Sequence, residues 1–162
     1  MSTTPQLGRI VQVNVNPLGG VPKRPVPAAE ITVEGVVGDR QRDLRAHGGP
    51  SRAVSLFAIE RIAALRAEGH PISPGSAGEN LTVSGISWDQ IQVGDRLRVG
   101  DWVELEITGY AAPCDTIADS FADGEFARIS QKRHPGWSRL YASVRSPGEV
   151  RPGDPVEIIS LG

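Results

Sequence analysis

Val11, Val13 and Val15 alternate with Gln12 and Asn14, so Arg9 to Val15 reads as a strand with one apolar face. The same two-residue period returns at Val103, Leu105 and Ile107 against Glu104 and Glu106, predicting a strand to Thr108. Shorter apolar runs predict strands at Glu30–Val33, Arg52–Phe57, Leu81–Val83, Ile91–Val93, Arg96–Val99, Leu140–Val144 and Val156–Ile159. One segment, about Ala58 to Glu68, carries a clear helical period. There Ile59, Ile62, Ala63 and Arg66 share a face, and Gly69 supplies a stop. A second helical span is predicted from Asp115 to Arg133, interrupted at Gly124. Pro17, Pro22, Pro25 and Pro27 make Asn16 to Pro27 a loop that cannot be a central strand.

Composition sharpens this picture. Nineteen glycines and 13 prolines among 162 residues, with only 3 Trp, 2 Tyr and 3 Phe, fit short strands joined by many turns. No repeat, low-complexity tract or long linker divides the chain, so one mainly β, barrel-like domain with a few peripheral helices is expected. A chain of this length buries about two thirds of its unfolded surface, and it needs no disulfide scaffold. A formal charge of −2 offers no basic surplus for nucleic acid. No apolar run approaches the ~18 residues of a membrane span. The opening MSTTPQLGR lacks a basic segment followed by an apolar one, so a cytoplasmic location is expected, where a lone thiol stays reduced.

The familiar catalytic signatures are missing. There is no G-x-G-x-x-G, no P-loop pattern and no G-x-S-x-G, and His47, His70 and His134 are too scattered to make a readable zinc site with one cysteine. Four glycine-rich segments remain. Gly38 to Arg52 carries Arg40, Arg42, Arg45, His47 and Arg52 around Gly48-Gly49, whose backbone amides suit an anion, although a solvated loop has the same composition. Gly75 to Thr82 places Glu79 and Asn80 ahead of an apolar strand, where they can read a ring edge or tie down their own turn. Val93 to Asp101 reads as structural, with Gly94-Asp95 and Gly100-Asp101 at turns. In the fourth, Pro113 ends a strand and Cys114, the only cysteine, stands at the expected helix start. Amides there favour a thiolate, yet free cysteine is also a common buried hydrophobe.

Taken in order, these segments resemble the MOSC domain, named for the C-terminal part of molybdenum cofactor sulfurase. The matching residues are Gly38-Asp39, His47-Gly48-Gly49, Gly78-Glu79-Asn80-Leu81-Thr82, Gly94-Asp95, Gly100, Pro113-Cys114, Pro147-Gly148 and Gly153-Asp154. The size resembles short, stand-alone bacterial members of YiiM-like type. The resemblance implies a β-barrel, a molybdenum cofactor (molybdopterin), and Cys114 as metal ligand or persulfide carrier. His47, Glu79 and Asn80 match motif positions near that cofactor, with Arg45, Gly48, Gly49 and Arg52 read as its phosphate site. Members often carry a basic residue just before the Pro-Cys pair, where this chain has Tyr110, Ala111 and Ala112. The leading expectation is an oxidoreductase that reduces N-hydroxylated small molecules, served by an electron-donor reductase. The alternatives are a sulfurtransferase, in which Cys114 carries a persulfide supplied by a cysteine desulfurase, and a non-catalytic cofactor-binding module.

Overall fold

The computed structural model describes residues 7–40 and 50–160. The strands are β1 Leu7–Val15, β2 Arg24–Val26, β3 Ala29–Thr32, β4 Gly35–Val36, β5 Val54–Ala58 and β6 Leu81–Ser84. They continue with β7 Arg96–Val99, β8 Val103–Ala111, β9 Arg139–Ser146, β10 Gly148–Val150 and β11 Pro155–Ser160, and α1 spans Ile59–Ala67. Seven of them close a barrel in the order β1, β11, β7, β8, β9, β5, β6, because β1 pairs with β11 at one end and β6 further along. Closure leaves these strands no open edge through which to aggregate. Neighbours are antiparallel except β5 and β6, which run parallel because α1 crosses between them. β3, β4 and β10 form a small separate sheet.

The chemistry of the strands explains most of this. In β8, Val103, Leu105 and Ile107 are buried while Glu104 and Glu106 lie partly exposed beside Arg96. In β1 the expected apolar face holds at Val13 and Val15, both buried, and fails at Val11. Ile10 and Val13 are buried and Val11 is 40 % exposed, because a bulge between Ile10 and Gln12 shifts the alternation by one residue. The Pro-rich loop holds β2, which pairs only with β1. Pro25 is tolerated there because an edge strand leaves one side unpaired.

Three further expectations are corrected. Ile91–Val93 is not a strand; Ile91 follows a short turn of helix at Trp88–Gln90, and the Gln92 amide donates to Asp95 Oδ2 at 2.9 Å. α1 buries Ile62 and Leu65, with Ile59 packed alongside, while Ala63 and Arg66 face outward. Its stop is as expected: Gly69 at φ 101° lets its own amide and that of His70 bond back to Arg66 and Leu65.

The span Asp115–Arg133 is not an interrupted α-helix. It holds three 3₁₀ pieces, Asp115–Ser120, Ala122–Gly124 and Phe126–Ile129, separated by extended Phe121 and by Glu125, with Asp123 left-handed inside the second. Asp, Ser and Thr compete for their own backbone here, and tertiary docking settles the path. His70 Nδ1 accepts the Ala122 amide at 3.0 Å, Ser120 bonds Ser76 at 2.9 Å, and Arg128 grips Glu68 with two bonds. Arg61 and Arg128 also stack on Trp137.

Candidate functional site

A cavity of about 290 Å³ opens where the loop after β1, the loop before β6, the turn after β8 and the start of β9 meet. Its wall includes Lys23 and Arg40 from the first loops, Arg52 and Ser55 leading into β5, Gly78 and Asn80 before β6, Cys114 after β8, and Arg139 and Tyr141 of β9. Four of these side chains are cationic, and no Asp or Glu lines the cavity among the described residues. Such a wall attracts anions. Lys23 is already tied to Asp39 at 2.6 Å, and Arg52 lies 5.3 Å from the centre of the Tyr141 ring.

Cys114 is half-buried and lines this cavity. The segment it begins is a six-residue 3₁₀ turn, too short for the α-helical dipole expected from the sequence. What holds Cys114 in place is the β8 ladder before it and the docked 115–129 segment after it. Arg52 lines the cavity. Arg45, His47, Gly48 and Gly49 lie outside the described residues.

Asn80 touches the cavity, but its amide is fully engaged. Oδ1 accepts the Ser55 amide and hydroxyl at 3.1 and 3.2 Å; Nδ2 donates to Asn14 O at 3.2 Å and Asp39 Oδ2 at 2.9 Å. It is a frame residue first, coupling β5 and β1 to the Asp39–Lys23 pair. Glu79 is fully buried away from the cavity wall. Its Oε2 accepts the Gly75 amide at 3.0 Å and the Thr82 hydroxyl at 2.9 Å, closing its own turn, while Oε1 is buried without a hydrogen-bond partner among the described residues.

Burial pushes the Glu79 carboxyl above its ordinary value, against its hydrogen bonds and the attraction of Arg139. A raised folded value means a contribution present below about pH 4.5, the unfolded carboxyl range, and lost as pH rises through the folded value. Glu79→Gln keeps the shape without the charge. Its melting temperature should therefore gain on wild type as pH rises from about 4 to 8; parallel curves would contradict this assignment.

Sequence reasoning missed Lys23 and Arg139. Arg139 is only 9 % exposed, and its Nη1 donates to Ala77 O at 2.7 Å. Nη2 lies 3.5 Å from both Ala111 O and Ala112 O, so the cation beside the Pro113-Cys114 turn comes from β9. A charged residue opening an otherwise apolar strand run, Arg139-Leu140-Tyr141-Ala142, was the available signal.

Comparison with known proteins places this arrangement. The chain is 32% identical to YflK of Bacillus subtilis over 145 residues, covering 88% of this chain and 64% of that protein. It is 29% identical to YiiM of Escherichia coli over 136 residues, covering 80% and 58%, so it spans about three fifths of the length of these two relatives. A protein named Reductase from Gibberella moniliformis is 28% identical over 77% of this chain and 22% of its own length. Among solved structures, YiiM from Geobacillus stearothermophilus superposes with a TM-score of 0.71 at 22% identity, covering 96% of this chain and 76% of that one. The YuaD protein of Bacillus subtilis gives 0.73 at 19%, covering 98% and 99%. Both share the fold. The MOSC domain matches residues 43–157, from before β5 into β11, and with these relatives it establishes that the chain belongs to the MOSC domain family.

Proposed function

We propose that the cavity binds a molybdenum–pterin cofactor with Cys114 as the protein ligand of the metal, and that the loaded protein reduces N-hydroxylated small molecules. The observation that carries this reading is a half-buried thiol on the wall of a cavity lined by Lys23, Arg40, Arg52 and Arg139 with no carboxylate among the described residues. The residues suit the group. A thiolate is a soft ligand, and guanidinium forks match a phosphate. No three His, Cys, Asp or Glu side chains converge among the described residues, so Cys114 would be the side chain that holds the metal. When bound, the metal supplies the two-electron chemistry.

The chain's part is binding and orientation. Arg52 and Arg40 would hold the phosphate, while Ser55 and Tyr141, opposite each other in the β5–β9 ladder, shape the adjoining wall. Reduction of an N-hydroxyl consumes two electrons and two protons and releases water, so turnover needs an electron donor such as a separate reductase. The fungal relative named Reductase supports the redox class. The test is reduction of an amidoxime by molybdenum-loaded protein with a viologen donor. Turnover supports the reading; no turnover, with an extra sulfur on Cys114 by mass spectrometry, would replace it with persulfide transfer.

Arg52→Ala should weaken cofactor retention about tenfold to a hundredfold, the worth of a charge-assisted contact of ~1.5–3 kcal/mol. The gap should narrow across a rising salt series as the charge is screened. In the cofactor-free fold the same substitution removes the contact with the Tyr141 ring, worth ~0.5–1 kcal/mol at a partly exposed site. Equal retention at every salt concentration would remove Arg52 from the site.

A further inference from the structure

Arg139 carries a buried charge with no hydrogen-bonded carboxylate among the described residues, where Tyr141, Glu79 and Cys114 act on it through space. Its Nε, also buried, has no hydrogen-bond partner among the described residues. The partners it does have are carbonyls: Ala77 on one side, and Ala111 and Ala112 just before Cys114 on the other. Burying a guanidinium against neutral carbonyls is costly unless an anion completes its surroundings. Burial pushes Arg139 below its usual range, yet guanidinium stays charged at neutral pH.

We infer that Arg139 sets the specificity of the Cys114 end of the cavity, selecting reactants that bring a negatively charged group, such as a carboxylate or oxyanion, up to the sulfur. Through its carbonyl bonds it also positions the turn that presents Cys114. The inference deepens the reading above and rests on it for the identity of the site, but its test requires no cofactor.

Cys114 is the only cysteine, so alkylation of the whole chain reports on it alone. Iodoacetate and iodoacetamide are close in size and consume the same thiolate, and only the first is an anion. Their rate ratio therefore cancels the ionised fraction of the thiol and leaves the field the reagent meets. With cofactor-free protein at low salt, Arg139→Gln should lower the iodoacetate-to-iodoacetamide ratio on the order of tenfold, and Arg139→Lys should restore most of it. Added salt should lower the ratio in wild type. An unchanged ratio in Arg139→Gln, or equal slowing of both reagents without rescue by lysine, would overturn the inference. Should the glutamine variant not fold, a wild-type ratio insensitive to salt would overturn it equally. Either failure leaves the molybdenum reading standing, and a chain that never takes up molybdenum can still show the ratio.

Discussion

Asn80→Ala should lower the melting temperature by roughly 6–12 °C, a large loss for one surface-accessible-looking amide in a glycine-rich segment. The reason is the number of bonds it ends. Truncation orphans the Ser55 amide and the Asn14 carbonyl, both buried, and removes a donor from Asp39. Each buried polar group left unpaired costs ~1–3 kcal/mol, so about 3 kcal/mol in total is a conservative sum, at about 2–4 °C each. Cofactor retention should fall as well, because Asn80 steadies Ser55 on the wall and Asp39, which holds Lys23. The direction reverses what the sequence alone suggests, which is a ligand contact more than a frame. Thermal melting of cofactor-free protein decides it: a shift below about 2 °C would return Asn80 to a ligand-only role.

Gly75→Ala should be worse. Gly75 sits at φ 83°, and a Cβ there would stand 2.2 Å from the Lys23 carbonyl oxygen. That oxygen is backbone and cannot rotate away. Gly75 accepts the Lys23 amide at 2.9 Å and donates to Glu79 at 3.0 Å, so the turn it closes carries Lys23 to the cavity. We expect a loss of 10 °C or more, about 3–5 kcal/mol, together with cofactor uptake. Gly69→Ala is the internal control. Its φ of 101° is equally unfavourable, but nothing lies within 4 Å of the added carbon. Left-handed strain alone costs ~1–2 kcal/mol, or roughly 2–8 °C. Equal losses at the two positions would show that strain, not the clash with the β1–β2 loop, governs Gly75.

The sequence reveals the barrel strands through their apolar period and hides the single-residue bulges within them. β8 was legible because Val103, Leu105 and Ile107 keep their period up to the irregularity after Ile107; in β1 Val13 and Val15 were placed on the buried face, and Val11 was misplaced because the bulge after Ile10 leaves no mark in composition. Asp115–Arg133 was expected to be a helix interrupted at Gly124, but His70, Ser76 and Glu68 fix the chain's path from outside the segment. The site divides in the same way. Pro113-Cys114 and Arg52 could be picked from local chemistry. Lys23 and Arg139 could not, since they meet Cys114 only once β1, β8 and β9 close around the cavity. Glu79 and Asn80 were found, but their burial and bond partners, which no local pattern displays, make them parts of the frame.

Molybdenum content per chain is the measurement that bears most directly on the central claim, taken on protein from cells that make the cofactor, with Cys114→Ser purified alongside. Serine replaces a soft ligand with a hard, poorly ionised one of nearly the same size, at a half-buried position that makes no side-chain cap bond. Wild type should carry about one molybdenum per chain, while Cys114→Ser should lose nearly all of it and melt within about 2 °C of the cofactor-free wild type. Wild-type protein without molybdenum, or a serine variant that keeps its full complement, would contradict the account.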